Sequence, residues 1–130
     1  MDVASLTRDL VAIPSHEDET AAGDAVEAWL RDETDAAVER DPHGNVVARR
    51  GRGADSPLLG REDTSSLALV GHHDVVPPDD SQVEADGSYV VTERDGRLSG
   101  RGTADMKGSL AAAMLAFRDA DPPADPVLAT

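Results

Sequence analysis

The chain has 130 residues, no cysteine and a formal charge of −14, with 26 acidic against 12 basic side chains. Length allows one domain, and the missing cysteines exclude disulfides, thiolate nucleophiles and cysteine-ligated zinc. A surface this acidic repels phosphate backbones and anionic lipid, so neither nucleic acid nor a membrane surface is expected as a partner.

The basic set is 11 Arg and a single Lys, and Leu, Ile, Val and Phe together number 26. Few aliphatics with high net charge is a composition shared with disordered chains. Here, however, the acids are interleaved with apolar residues at helix and strand spacing, which disorder does not require. Acid in place of lysine fits a protein of a high-salt cytoplasm, where dissolved ions screen self-repulsion. The N-terminus shows no basic segment followed by an apolar core. The longest apolar run, 110–117, is far short of the roughly 20 residues that span a bilayer. A halophilic, cytoplasmic protein is therefore expected.

In chain order, Asp2 caps a first helix with Val3, Leu6 and Leu10 on one face, and Pro14 ends it. Ser15 or Asp18 caps a second helix whose first turn is acidic (Glu17, Asp18, Glu19) and whose inner stripe is Ala22, Val26, Trp29 and Leu30. Two short strands, 36–40 and 45–49, flank a turn at 41–44. Residues 50–64 are polar and rich in Gly and Arg, and read as a surface loop. The run 66–71 is apolar on both faces and predicts a central strand covered on both sides. A hairpin follows, with strands at 89–92 and 97–99 about a turn at Asp95-Gly96. A glycine-rich loop, 100–105, opens a third helix that buries Leu110, Ala113, Met114 and Phe117, and Asp121-Pro122-Pro123 stops it. Residues 126–129 begin another apolar strand. Alternating strands and helices define the fold class as α/β, a sheet covered by helices.

Two segments carry potential chemistry. The first, Gly71-His72-His73-Asp74-Val75-Val76-Pro77, stands where an apolar strand ends, the place where open α/β sheets bind ligands. In extended chain, residues 72 and 74 share a side. Asp74 can then accept the proton on one ring nitrogen of His72 and leave the other free for a metal ion. The same pair also fits a histidine and an aspartate that merely satisfy each other in a loop. His73 points the other way and is no ligand; His16 and His43, with polar flanks, read as solvated surface.

The second segment is Gly100-Arg101-Gly102-Thr103-Ala104-Asp105-Met106-Lys107-Gly108. It fails both phosphate-loop templates, because Asp105 stands where G-x-G-x-x-G needs glycine and Lys107 precedes a glycine instead of following one. Its glycines let the backbone turn sharply and deliver Asp105 to a defined place, either as a helix N-cap or as a site residue. No G-x-S-x-G elbow supports a serine hydrolase.

Together, GHHDVVP and GRGTADMKG resemble the acetylornithine deacetylase / succinyl-diaminopimelate desuccinylase family, amide hydrolases with two neighbouring metal ions. The likeness runs from the first helix, through Ile13-Pro14-Ser15, to the last strand. It implies that residues 1–130 are the N-terminal portion of a two-metal aminopeptidase-like catalytic domain. His72 would be a terminal metal ligand, Asp74 would orient and polarise it, Asp105 would bridge both metals, and the Asp105-Met106 peptide would be cis. The cofactors would be two divalent ions, zinc first and cobalt as the alternative. The substrate would be an N-acyl amino acid or small peptide, and the complete protein a homodimer. The family's paired glutamates, one of them the general base, its later carboxylate and histidine ligands and its second domain have no counterpart in these residues. The chain is therefore read as a fragment, inactive alone. The alternatives are a truncated, non-catalytic remnant that folds or associates without chemistry, and a single-metal binding module using His72, Asp74 and Asp105.

Overall fold

The computed structural model describes residues 1–51, 66–120 and 125–130. Asp2 begins α1 (Val3–Ala12) as expected: its side chain accepts the Ser5 backbone N–H at 2.8 Å, satisfying one of the free donors of the first turn. The second helix, α2 (Thr20–Glu33), starts later than its acidic run suggests. Glu19 is its N-cap and makes no side-chain cap. Asp18, one residue earlier, accepts the Thr20 N–H at 2.9 Å, while Ser15 caps nothing and is buried beneath the loops described below.

Strands β1 (Ala37–Arg40) and β2 (Val46–Arg49) form an antiparallel pair. Their turn is organised by Asp41, whose carboxylate accepts the backbone N–H groups of His43 and Asn45. After β3 (Ser66–Val70), β4 (Thr92–Arg94) and β5 (Arg97–Ser99) make a separate hairpin. The positive φ of Asp95 (52°) and Gly96 (74°) suits its two-residue turn. Tyr89, expected inside the first hairpin strand, instead makes one isolated bridge to Val83. The last elements are α3 (Gly108–Asp119) and β6 (Asp125–Ala129). The expected loop at 52–64 and the stop at 121–123 lie outside the described residues.

The main sheet runs β1-β2-β6-β3, with β6 antiparallel to β2 and parallel to β3. Register aligns Val38, Ala48, Leu128 and Leu69 in one row across the four strands. That row packs against Leu6 and Leu10 of α1, Val26 and Leu30 of α2, and Leu110, Met114 and Phe117 of α3. Phe117 is fully buried, and truncating it to alanine would cost about 3–5 kcal/mol. This is the α/β class expected, with helices on the sheet.

One expectation fails. Among the described residues β3 is an edge strand, not a central one: Leu67 is 47% exposed and Val70 74%. An apolar run reports two apolar faces but not which element lies against them, so periodicity alone cannot rank strands by position. No helix among the described residues is long and apolar enough to cross a membrane.

Candidate metal centre

The carboxyl end of β3 delivers the first loop. Gly71 still donates to Ala129 at 2.9 Å, so the sheet ladder persists up to the residue before His72. The chain then turns, and Val75 donates to the Ser15 carbonyl at 3.1 Å. Within this short span the His72 Nδ1 stands 3.0 Å from the Asp74 carbonyl oxygen and 3.1 Å from its carboxylate Oδ1. Both partners are acceptors, so Nδ1 carries a proton. His73 faces the other way, buried, with its own Nδ1 3.1 Å from the Thr130 hydroxyl; burial pulls its pKa below the usual histidine value.

The second loop turns at Gly102, whose φ of 83° is open to glycine at no steric cost. A Cβ there would stand 2.4 Å from Val75 Cγ1, so the glycine also lets the two loops touch. Thr103 N–H and hydroxyl both bond the Gly100 carbonyl, and Lys107 N–H bonds Gly102 at 2.8 Å. Between these ties Asp105 is non-helical (φ −133°, ψ 92°), and the Asp105-Met106 peptide is cis. Asp105 caps no helix. Its side chain, 86% exposed, reaches to His72, with Oδ1 3.0 Å from Nε2.

That contact joins two groups that cannot bond without something between them. With its Nδ1 protonated, neutral His72 presents a lone pair at Nε2, and a carboxylate offers only lone pairs. A second ring proton satisfies the pair. Burial lowers the His72 pKa, but hydrogen bonds to Asp74 and Asp105 outweigh it and the net shift is upward. A metal cation satisfies the same pair. Nitrogen and oxygen ligands of one tetrahedral zinc, each about 2.0–2.2 Å away, stand roughly 3.3 Å apart. The observed 3.0 Å is hydrogen-bond distance, about 0.3 Å closer than that, while the donor types, an imidazole nitrogen and a carboxylate oxygen, are ones that zinc accepts. Among the described residues no group of three or more His, Cys, Asp or Glu side chains converges to complete such a site. Beside the pair lies a cleft of about 220 Å³, walled by Val75, Val76, Gly100, Arg101 and Gly102.

His43 is exposed as expected, whereas His16 is not a free surface residue: its Nδ1 lies 2.6 Å from the Tyr89 hydroxyl. The residue that motif reading passed over is Lys107. It is 1% exposed, its ammonium donates to the Ile13 carbonyl at 2.6 Å, and it stands 5.7 Å from the centre of the Tyr89 ring. Burial lowers its pKa to about 8. Its signal in the sequence is singularity: one lysine among 12 cationic side chains, two positions after Asp105.

An α/β sheet with a histidine-carboxylate pair beyond the end of one strand defines a class of site that binds ligands at the carboxyl edge. Residues 68–126 match the model of peptidase family M20/M25/M40. Succinyl-diaminopimelate desuccinylase of Xylella fastidiosa (strain M12) is 36% identical over 118 residues, 88% of this chain and 29% of that protein. The protein of the same description from Delftia acidovorans is 36% identical over 122 residues, 88% of this chain and 30% of that one. Two solved structures share the fold. Human carnosine dipeptidase 1 superimposes with a TM-score of 0.71 at 24% identity, over 98% of this chain and 31% of that one. Aminoacylhistidine dipeptidase from Vibrio alginolyticus gives 0.68 at 19% identity, over 98% and 26%. The chain spans about 30% of the length of these curated relatives.

Proposed function

We propose that this chain forms the N-terminal part of the catalytic domain of a metal-dependent hydrolase that cleaves an amide bond in an N-acyl amino acid or small peptide. The observation that carries the reading is the 3.0 Å approach of His72 Nε2 to Asp105 Oδ1, with His72 Nδ1 held by Asp74. The match of residues 68–126 to the M20/M25/M40 peptidase model supports it, as do the desuccinylase and dipeptidase likenesses. In this reading His72 and Asp105 would hold two divalent ions, zinc first and cobalt as the alternative, with His72 as a terminal and Asp105 as a shared ligand. Asp74 fixes the tautomer: by holding the proton on Nδ1 it keeps the Nε2 lone pair aimed at the metal position and makes the ring a stronger donor. Bound metal supplies the Lewis acidity that activates water and polarises the scissile carbonyl. The general base and remaining ligands are assigned to sequence outside this chain, as is a homodimer-forming domain; the protein is placed in a high-salt cytoplasm.

The test is zinc and cobalt binding, and hydrolysis of a panel of N-acetyl and N-succinyl amino acids and dipeptides, by the complete protein. Metal-dependent turnover abolished by Asp105→Ala is expected. A complete protein that binds no metal, or one that keeps full activity with Asp105→Ala, overturns the reading. A second reading, a non-catalytic remnant, is favoured by one observation, that only two ligands meet among the described residues. It predicts metal-independent folding and no turnover under any metal.

A further inference from the structure

The one lysine of this chain is among its most deeply buried side chains, although the other cationic positions are all arginine. Its backbone belongs to the Asp105 loop, where its N–H closes the turn on Gly102. Its side chain crosses to the end of α1, where Ile13 is the C-cap residue and its carbonyl accepts the ammonium at 2.6 Å. A cation at a helix C-terminus is favoured by the helix dipole. Two residues on, the Ser15 carbonyl holds the His72 loop through the Val75 N–H, and the Ser15 N–H is taken by the Tyr89 hydroxyl at 3.2 Å. Tyr89 is itself tied to α1, its N–H donating to Ala12. The segment 13–15 is thus a short strap with one loop hung from each end. One end carries the His72 loop by a backbone bond. Among the described residues, the hydrogen bond from the other end to the Asp105 loop is made by the Lys107 side chain.

Resting on the functional reading above, we infer that Lys107 is a positioning residue: by anchoring the Asp105 loop to the Ile13 carbonyl it sets Asp105 opposite His72. A compact ammonium on a flexible stem reaches a single carbonyl at the end of a narrow buried path, where a planar guanidinium with five donors would leave most of them unmet.

The experiment uses the complete protein. Zinc affinity is measured by calorimetry, and the cobalt(II) form by its visible spectrum, for the wild type, Lys107→Met and Phe117→Leu. Methionine keeps the length and apolar stem and removes the anchor. Phe117→Leu destabilises the core at the far end of α3, and is the control for general loosening. Lys107→Met is expected to weaken zinc binding about 10–100-fold, the range for losing a partner that orients a ligand, and to alter the cobalt spectrum. Phe117→Leu is expected to leave both unchanged even where it lowers thermal stability more. If Lys107→Met does not fold, Lys107→Arg tests the same anchor with the charge kept: a guanidinium misfitted at the Ile13 carbonyl is expected to weaken zinc binding about tenfold, and affinity equal to wild type overturns the inference. Zinc affinity in Lys107→Met equal to wild type, or affinity that simply follows stability across the variants, overturns the inference and leaves the functional reading intact. A wild-type protein that binds no zinc overturns both.

Discussion

The loop carrying His72 leaves β3 with its backbone still engaged in the sheet, Gly71 bonded to Ala129 and Val75 to Ser15. The loop carrying Asp105 has no such ladder. It follows a hairpin outside the main sheet, turns on Gly102 at φ 83°, and is fixed by a turn bond to its own Gly102 and by the reach of Lys107 to Ile13. The first loop inherits its position from regular structure, and the second has it assembled from special residues. Substitutions of similar size should therefore be tolerated in the first loop and not in the second, wherever the reacting side chains themselves are spared.

Four experiments sharpen or break this contrast. The largest effect is expected from the ligands: in the complete protein, Asp105→Ala removes the shared carboxylate and should eliminate metal-dependent hydrolysis, read as initial rates at saturating zinc. Next, Asp74→Ala leaves Nε2 in place but frees the ring to turn, and a 10–100-fold fall in metal affinity or rate is expected by titration. Third, Gly102→Ala forces a Cβ into the left-handed region and to 2.4 Å from Val75 Cγ1. The backbone alone should cost about 1–3 kcal/mol, seen as a lower urea midpoint. Smallest is Gly71→Ala in the first loop, where the new Cβ would meet the end of the flexible Met106 side chain at 3.2 Å. That change should stay within about 1 kcal/mol, the ordinary scale of a Gly-to-Ala exchange at a compatible site. Equal losses for Gly71→Ala and Gly102→Ala would erase the distinction between the loops. Separately, a charge of −14 predicts that circular dichroism fades as salt is withdrawn, because fewer ions then screen the acidic surface. Undiminished signal at low salt would speak against a halophilic protein.

Much of the fold was legible because its signals are local. Asp2 as a cap, the Asp41 turn and most of the apolar stripes of three helices depend on neighbours within a few residues; Val3, expected in the first stripe, is 46% exposed because it stands in the first turn, before the helix reaches the core. His72 and Asp74 were legible for the same reason, two positions apart on extended chain. Partnership over distance was not. Residues 66–71 and 126–129 look alike as apolar runs, yet Leu128 is buried between two strands while Val70 lies on an exposed edge. Asp105 fits both a cap and a site residue from its local sequence, and the resemblance alone favours the site; its side chain turns to a residue 33 positions earlier. Lys107 was invisible to motif reading because a lysine is ordinarily solvated. Only the geometry reveals a desolvated ammonium held by a carbonyl 94 positions away.

The burial of that side chain has a practical consequence for labelling chemistry. Within these 130 residues the only side-chain primary amine is that of Lys107. Acylating reagents that attack free amines should therefore leave this side chain unmodified in native molecules and modify it in unfolded ones. Mass spectrometry after a brief acetylation pulse then counts folded and unfolded molecules directly, as populations separated by one acetyl group. A lysine-specific endoprotease should likewise find a single cleavage point, after residue 107, and only in molecules that have opened.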